Sequence, residues 1–444
     1  MILRAHVIVP VTEDPIEGGE IFIKNGRIEA IGEDLSASLP DEPVEDLGHA
    51  AILPGLVNAH THLDYTVLRG MVDDEPFMPW IRRLTDIGKE MQQEDFLASA
   101  RLGLLQLVRS GVTAIGDSTF SGAVVEAARE AGLRGIVYQE TFGADPTQDY
   151  KDQVDLLAEK VTELRGNSGD RITIGVSPHS VYTSSERLLR LVADLALDQG
   201  LPVALHVSET RDEVVLIESA EGHIADFYKL FRFDFEARGM SPVAYLHDIG
   251  LLNSNTLAAH CVHINDNDLD MLAASGTRVA HCPKSNAKLA VGTAPLESII
   301  ERGILTGIGT DSAASNNALD MFEEMRFAVL AQRAINEDVN ALNAKQILEL
   351  ATLGGAAALG MDSEIGSLEP GKQADIIAVD LSSPAVFPTI DPYSALVYCC
   401  SACDVMMNMI GGEIIYRSGQ YFKVDADEIN RQASLTAAKI APVG

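Results

Sequence analysis

The stretch LPGLVNAHTHLD, residues 53–64, decides the fold class of this chain. It starts with an apolar run of the length of a buried strand and ends with His60 and His62, which one residue separates. Residues i and i+2 of a strand point to the same side, so both imidazoles can turn toward one ion. An isolated pair of this kind is a weak signal, and its interpretation therefore depends on the residues further along the chain.

Further short apolar runs come after this stretch, and helical stretches separate them. The predicted strands span residues 53–59, 112–117, 134–140, 172–177, 202–207, 256–260, 278–282 and 305–310, with helices such as 95–110 and 185–200 between them. Eight strand–helix units over about 300 residues are typical of a (β/α)8 TIM barrel, in the α/β class. A doubly wound sheet is the alternative, and the positions of the polar residues discriminate between the two.

Histidines and acidic residues follow the ends of these predicted strands. They are His60 and His62 after the first strand, His179 after the fourth, His206 and Glu209 after the fifth, His260 after the sixth, His281 after the seventh and Asp311 after the eighth. In a parallel barrel these ends meet on one face, so the pattern favours the barrel. Three imidazoles and one carboxylate suit Zn²⁺ or Fe²⁺ with a position left for water. We predict the metal ligands to be His60, His62, His206 and Asp311.

Both ends of the chain predict β structure. Residues 21–32 alternate apolar and polar side chains around Asn25-Gly26, a strong hairpin signal. Residues 371–380 and 404–419 show similar runs near the other end. We therefore predict one small β-sandwich built from residues 1–52 and 365–444, the latter with a terminal helix, and a barrel of residues 53–364 inserted between its halves.

Composition narrows the possible partners and compartments. The chain has 65 acidic and 33 basic residues, a formal net charge of −32, which disfavours binding to a nucleic-acid backbone. The sequence contains no apolar run of 18 residues and no signal peptide, so we expect no membrane association and a cytoplasmic location. Five cysteines predict no disulfide framework, and we interpret Cys399, Cys400 and Cys403 as small buried residues.

Five ordered blocks of the sequence resemble the signatures of the amidohydrolase superfamily. They are PGLVNAHTHLD, HVSE, AHCVH, HCPKSNAKLAVGTAPL and GTDSAASNNALDMFEEMR. The resemblance is to the branch of 5′-methylthioadenosine/S-adenosylhomocysteine deaminases, related chlorohydrolases and aminodeoxyfutalosine deaminases, and it extends from about Met1 to Tyr416. It implies a homo-oligomeric, zinc-dependent aminohydrolase, with iron as the second choice of metal.

The absence of one lysine predicts the number of metal ions. Binuclear members of the superfamily usually bridge two ions with a carboxylated lysine at the end of the fourth strand, and here that region, RITIGVSPHS, contains no lysine. Glu140, after the third strand, is the one residue placed to bridge a second ion. We expect one divalent metal per subunit.

The resemblance also implies roles for individual residues. Glu209 would protonate the ring nitrogen of the substrate, His260 would hold the attacking hydroxide, and Asp311 would pass a proton from the attacking water to the leaving ammonia. Besides Glu209, the residues implied to bind substrate are Trp80, in the long loop after the first strand, His179 and Gln139.

The resemblance implies hydrolytic deamination of an aminated heteroaromatic ring. The substrate would be an adenosine-type nucleoside, attacked at its 6-amino group, with a modified 5′ position, such as aminodeoxyfutalosine or methylthioadenosine. Lys89 stands where relatives have a glutamate for the ribose, and Gln139 stands where relatives can have an arginine for a carboxylate, so S-adenosylhomocysteine is disfavoured. A chlorohydrolase acting on a triazine- or pyrimidine-like ring is the alternative, which the presence of Glu209 disfavours. Ring-amide hydrolysis and a catalytically dead binding scaffold are remote alternatives.

Overall fold

The computed structural model describes residues 1–230 and 235–441, which form three sheets flanked by helices. The strands are β1 Ile2–Arg4, β2 Val7–Ile8, β3 Ile16–Glu17, β4 Glu20–Lys24, β5 Arg27–Gly32, β6 Val44–Asp46, β7 Ala50–Pro54, β8 Leu56–Thr61, β9 Val112–Thr119, β10 Arg134–Glu140, β11 Ile172–Ser177, β12 Val203–Val207, β13 Thr256–His260, β14 Arg278–His281, β15 Thr306–Ile308, β16 Ile376–Asp380, β17 Val405–Ile410, β18 Glu413–Arg417 and β19 Gln420–Tyr421.

Helices follow most of the central strands. They are α1 Leu35–Ser38, α2 Phe77–Gly88, α3 Gln93–Arg109, α4 Ala123–Ala131, α5 Lys151–Asn167, α6 Glu186–Gln199, α7 Arg211–Ser219, α8 Gly222–Leu230, α9 Pro242–Ile249, α10 Asp266–Ser275, α11 Pro283–Lys288, α12 Leu296–Glu301, α13 Ala313–Asn316, α14 Met321–Asn336, α15 Ala344–Glu349, α16 Gly355–Ala358, α17 Pro392–Ser394 and α18 Ala426–Ile440. Short 3₁₀ segments span Leu63–Leu68 and Ala402–Asp404, and π turns span Leu350–Gly354 and Ala395–Cys399.

The eight strands β8 to β15 pair in parallel, each with its sequence neighbours. The first and last strands meet through hydrogen bonds just beyond β15. The N–H of Thr310 donates to Oδ1 of Asn58 (3.0 Å), and the N–H of Asp311 donates to the carbonyl of His60 (2.9 Å). The predicted TIM barrel is therefore confirmed, and its C-terminal face gathers the strand ends.

Both termini build the other two sheets. One has the order β5-β4-β1-β6, and the other has the order β19-β18-β17-β16-β7-β2-β3. Their facing side chains share one apolar cluster, in which Leu3 and Ile21 of the first sheet join Ile52 and Met407 of the second. The prediction that both chain ends form one β unit is confirmed, while the boundaries at residues 52 and 364 stay predictions.

The predicted first barrel strand, residues 53–59, is wrong at its start. Leu53 lies in β7 and pairs with Ile377 of the terminal sheet, and the barrel strand begins at Leu56. Between them, Gly55 allows a close approach, because a Cβ there would lie 2.2 Å from the side chain of Thr113. Both strands are buried along their length, so the apolar run continues through the break and conceals it.

The interpretation of the cysteines is wrong for two of the three. Cys400 is buried, but Cys399 and Cys403 are exposed on the surface turn that joins α17 to β17. Arg109 lies beside Cys403, with its Nη2 3.5 Å from Sγ. Within residues 1–230 and 235–441, every helix is too short or too polar to span a membrane.

Gly135, in β10, marks a place where the barrel tolerates no side chain. Its φ is 148°, and a Cβ built on it would lie 2.0 Å from the carbonyl oxygen of Ile115 in the adjacent strand. We expect Gly135→Ala to lower the free energy of unfolding by about 3 kcal/mol, measured as a shift of the urea midpoint. Gly166→Ala is the control: it adds a methyl group in α5 with no atom within 4 Å and should raise stability by about 0.5–1 kcal/mol. Equal midpoints for the two variants would contradict this prediction.

Candidate active site

Three histidines converge at the C-terminal face of the barrel. His60 lies near the end of β8, His62 directly follows that strand, and His206 lies in β12, so the barrel brings residues about 145 positions apart into contact. One ligand atom from each lies within 4.8 Å of the others, and all three side chains are buried. Among the described residues this is the one group of three or more metal-capable side chains that converges in this way.

The hydrogen bonds of His62 and His206 fix where their protons are. Nδ1 of His62 lies 2.9 Å from the carbonyl of Ser118, and Nδ1 of His206 lies 2.9 Å from the carbonyl of His179. A carbonyl only accepts, so each Nδ1 carries the hydrogen and each Nε2 presents a lone pair. The two Nε2 atoms nevertheless lie 3.1 Å apart. Two lone pairs at that distance repel each other unless they share a cation.

His60 and Asp311 complete the arrangement. Nε2 of His60 is buried and makes no hydrogen bond, and Oδ1 of Asp311 lies 3.8 Å from it and 3.7 Å from Nε2 of His62. Burial lowers the pKa of His60 and of His206 well below the usual value, which keeps both imidazoles neutral and able to bind a cation. The donor set of three neutral nitrogens and one carboxylate fits a divalent transition metal.

The carboxylate of Asp311 is held by hydroxyl groups and a backbone N–H. Ser285 Oγ (2.5 Å) and Ser315 Oγ (2.9 Å) donate to Oδ2, and the N–H of Ser312 donates to Oδ1 (2.7 Å). Burial opposes the charge, but the nearby histidines, His260 foremost, outweigh it and hold the pKa of Asp311 at about 2. Asp311 is therefore anionic at neutral pH.

Glu209 and His260 lie beside this cluster: Glu209 follows β12, the strand of His206, and His260 ends the next strand, β13. Nδ1 of His260 lies 2.9 Å from Oδ1 of Asn286, and its Nε2 lies 3.8 Å from Oε1 of Glu209. Burial, with a smaller contribution from Asp311, raises the pKa of Glu209 well above the usual value. A buried carboxyl with a raised pKa is suited to donate a proton.

Glu140 approaches His62 from a different side. Its buried Oε1 has no hydrogen-bond partner and lies 3.8 Å from Nδ1 of His62, the nitrogen that faces Ser118 rather than the other histidines. Burial raises the pKa of Glu140 to about 7. This placement fits a single metal ion bound by the Nε2 atoms better than two metal ions bridged by Glu140.

An aromatic row leads from the histidine cluster to the surface. The ring of His179 lies 4.5 Å from that of His206 and 4.9 Å from that of Phe142, which in turn lies 6.1 Å from that of Phe120. Phe120 and Phe142 are 52% and 36% exposed, although both are large and apolar. The sequence prediction identifies His179 and misses both phenylalanines, which follow β9 and β10 without any motif of their own.

The other predicted substrate residues are placed differently from expectation. Gln139 is buried, and its Nε2 donates to the carbonyls of Thr119, Phe120 and Glu140, which leaves only its Oε1 unpartnered. Trp80 lies on α2 rather than in a loop, and it packs in an apolar cluster with its indole N–H unpartnered. The loop prediction fails because the segment after the first strand contains a complete amphipathic helix.

Lys89 follows the last residue of the same helix, and none of its described contacts is with the histidine cluster. It is exposed and pairs with Asp86, and Glu90 beside it is exposed as well. Lys89, which replaces the glutamate of the relatives, therefore does not bring a positive charge to the candidate active site.

Known proteins resemble this chain in both sequence and structure. The model of the amidohydrolase family matches residues 51–415. A 5-methylthioadenosine/S-adenosylhomocysteine deaminase of Nitratidesulfovibrio vulgaris is 38% identical over 442 residues, covering 97% of this chain and 95% of that protein. A 5′-deoxyadenosine deaminase of Methanothermobacter thermautotrophicus is 36% identical over 427 residues, covering 96% of this chain and 95% of its own.

A solved structure is similar over the whole chain. The adenosine deaminase of Xanthomonas campestris, with bound zinc, superposes with a TM-score of 0.89 at 30% identity, covering 100% of this chain and 98% of that one. A family match of this extent, together with relatives above 30% identity over nearly their full length, confirms the resemblance read from the five sequence blocks. The chain belongs to the amidohydrolase family.

Proposed function

We propose that this protein hydrolyses the 6-amino group of an adenosine-type nucleoside with a neutral 5′ substituent, releasing ammonia. The observation that carries the proposal is the position of Glu209: its buried carboxyl, whose pKa burial raises, lies 3.8 Å from His260, beside a candidate metal centre. Deamination needs such an acid, because attack on the ring carbon must be matched by protonation of the adjacent ring nitrogen. The deaminases among the relatives support the same reaction class.

We assign one divalent metal to His60, His62, His206 and Asp311, with zinc as the first choice. The facing Nε2 atoms of His62 and His206 support the ion, and the zinc in the Xanthomonas campestris structure supports its identity. When bound at such a site, a divalent ion lowers the pKa of its water toward neutrality.

The protein side chains then move the protons. Nε2 of His260 is free to accept a hydrogen bond from the attacking water, because its Nδ1 faces the Asn286 carbonyl oxygen. Asp311 takes a proton from that water and delivers it to the leaving ammonia. Glu209 places its own proton on the ring nitrogen beside the carbon under attack, and it takes back the remaining proton of the new hydroxyl group when ammonia leaves. His260, Asp311 and Glu209 all lie around the candidate metal centre, and their positions there are consistent with these roles.

The mouth of the site, by which we mean the exposed surface around Phe120 and Phe142, supports a neutral 5′ substituent. Phe120 and Phe142 form an apolar wall, and the segments after β9 and β10, residues 120–122 and 141–150, contain no lysine or arginine. They contain Asp145 and Asp149 instead. The cations that lie against these segments, Lys160 beside Gly122 and Arg187 beside Asp149, are already paired with Glu163 and Asp149. A substrate carboxylate here would lose water without gaining an unpaired cationic partner, which costs free energy. We propose His179 as a further substrate contact, with Oε1 of Gln139 and the indole of Trp80 as less exposed ones.

Substrate ranking tests this part of the proposal. We expect kcat/KM for 5′-methylthioadenosine and 5′-deoxyadenosine to exceed that for S-adenosylhomocysteine by at least about tenfold, because only the last carries charged groups at the 5′ end. Ammonia release and the ultraviolet change at the purine ring report the rates. A preference for S-adenosylhomocysteine would contradict the assignment of the mouth, while leaving the deaminase chemistry in place. A homo-oligomer and a cytoplasmic location stay predictions from the sequence and its resemblance.

A further inference from the structure

A second buried glutamate, Glu213, holds the loop that carries Glu209. Glu213 is the third residue of α7 and is fully buried. Its Oε1 accepts the N–H of Ser208 (2.8 Å), and its Oε2 accepts the N–H of Glu209 (2.9 Å). Both carboxyl oxygens are therefore used on two successive backbone groups, one of which belongs to the proposed acid.

The same loop is tied down from its other side. Ser208 has a φ of 50°, in the left-handed region that a residue other than glycine adopts only when its surroundings enforce it. Its carbonyl oxygen accepts the N–H groups of Val262 (3.1 Å) and His263 (2.9 Å), just after β13. Ser208 and Glu209 are thus held from both sides, by Glu213 and by the N–H groups of Val262 and His263, and we call this set of hydrogen bonds the frame of the Glu209 loop.

Ordinary helix capping does not account for these contacts. Thr210 is the N-cap of α7, and its hydroxyl accepts the N–H of Glu213 (3.1 Å), which is half of a capping box. In a capping box the glutamate would reach back to the N–H of Thr210 itself. Here it extends beyond the cap to Ser208 and Glu209, so it fixes the loop rather than the helix end.

We propose that Glu213 is a positioning residue, which sets the carboxyl of Glu209 at the distance from the substrate ring that proton transfer requires. The proposal rests on the role of Glu209 given above. Glu213 has no free oxygen for a substrate and acts only through the backbone of its neighbour. Glu213 only accepts the two backbone hydrogen bonds, and Glu209 supplies the proton.

Glu213→Gln tests the proposal because glutamine offers one acceptor and one donor in place of two acceptors. One of the two N–H groups then faces another donor, and the Glu209 backbone shifts. A displacement of about 1 Å at a catalytic group can lower the rate by about 100-fold, and we expect kcat to fall by that factor. KM and bound metal should stay near the wild-type values, since the histidine cluster is not part of the frame.

Asp268→Asn provides a matched control. Asp268 is also the third residue of its helix, α10, is buried, and accepts the N–H of the N-cap Asn265 (3.0 Å), but it does not contact the Glu209 loop. A purely structural role for Glu213 predicts that both variants lose stability and keep kcat per folded, metal-loaded molecule. The positioning role predicts a fall in kcat for Glu213→Gln alone.

A double-mutant comparison completes the test. In a Glu209→Gln background, adding Glu213→Gln should change kcat by less than about twofold, because the group it positions is gone. Additive losses would overturn the proposal, as would wild-type kcat in folded Glu213→Gln. Should that variant not fold, Glu213→Asp keeps the carboxyl group and retracts it by one carbon, and unchanged kcat there would overturn the proposal equally. A wild-type protein that deaminates nothing would instead refute the proposed function itself.

Discussion

Glu209→Gln should lower kcat for deamination by about 100- to 10,000-fold, the range that general acid–base groups contribute. That loss corresponds to about 3–5 kcal/mol of transition-state stabilisation. Glutamine keeps the shape of the side chain but has no proton of suitable acidity to give to the ring nitrogen. KM should change little, and metal content should stay at the wild-type level, because Glu209 is not one of the four assigned ligands.

The control for this variant lies on the next helix of the chain. Glu218 is exposed in α7, and Glu218→Gln makes the same change of charge without altering the site. Steady-state rates with 5′-methylthioadenosine, together with metal analysis by mass spectrometry, give the comparison. Turnover by Glu209→Gln at the rate of Glu218→Gln would show that the proton reaches the ring by another route.

His206→Ala should abolish metal binding and lower kcat by at least about 1,000-fold. The substitution removes one of the two facing Nε2 atoms, so the remaining set holds a divalent ion far more weakly, and activation of water depends on that ion. Purified His206→Ala should contain little bound metal, and added Zn²⁺ at micromolar concentration should not restore the rate.

His223→Ala is the matched control, because His223 is an exposed histidine on α8 that pairs with Asp212. It should keep wild-type metal content and activity. Stoichiometric metal in His206→Ala would remove His206 from the ligand set and leave its place to another group, such as Glu140.

The positions of the proposed metal ligands can be predicted from the sequence because the strand ends recur in a simple order. His60, His62 and His206 are predicted from a pattern that any parallel barrel imposes, since buried strands are read from apolar runs and their ends from the polar residues after them. The structure brings these three together as expected. The role of Asp311 as fourth ligand stays a prediction that the 3.7 Å and 3.8 Å distances favour.

Backbone groups explain much of what the sequence could not predict. The carbonyls of Ser118 and His179 set the tautomers of two of the proposed ligands, and every residue has a backbone carbonyl, so no residue type marks these positions in the sequence. The resemblance implies that Gln139 meets the substrate, but three carbonyls take up its amide hydrogens. Glu213 does carry a signal, the Thr-x-x-Glu spacing of a capping box, but its reach past the cap depends on the left-handed turn at Ser208.

Metal-dependent deamination by the wild-type chain is the central claim, and a metal titration measures it directly. Metal-free protein, prepared by chelation, should be titrated with Zn²⁺ while ammonia release from 5′-methylthioadenosine is measured. We predict no turnover without metal and a rate that rises linearly to a plateau at one equivalent of Zn²⁺ per chain. Full activity in the metal-free protein, or a plateau only at two equivalents, would contradict the assignment of a single ion to His60, His62, His206 and Asp311.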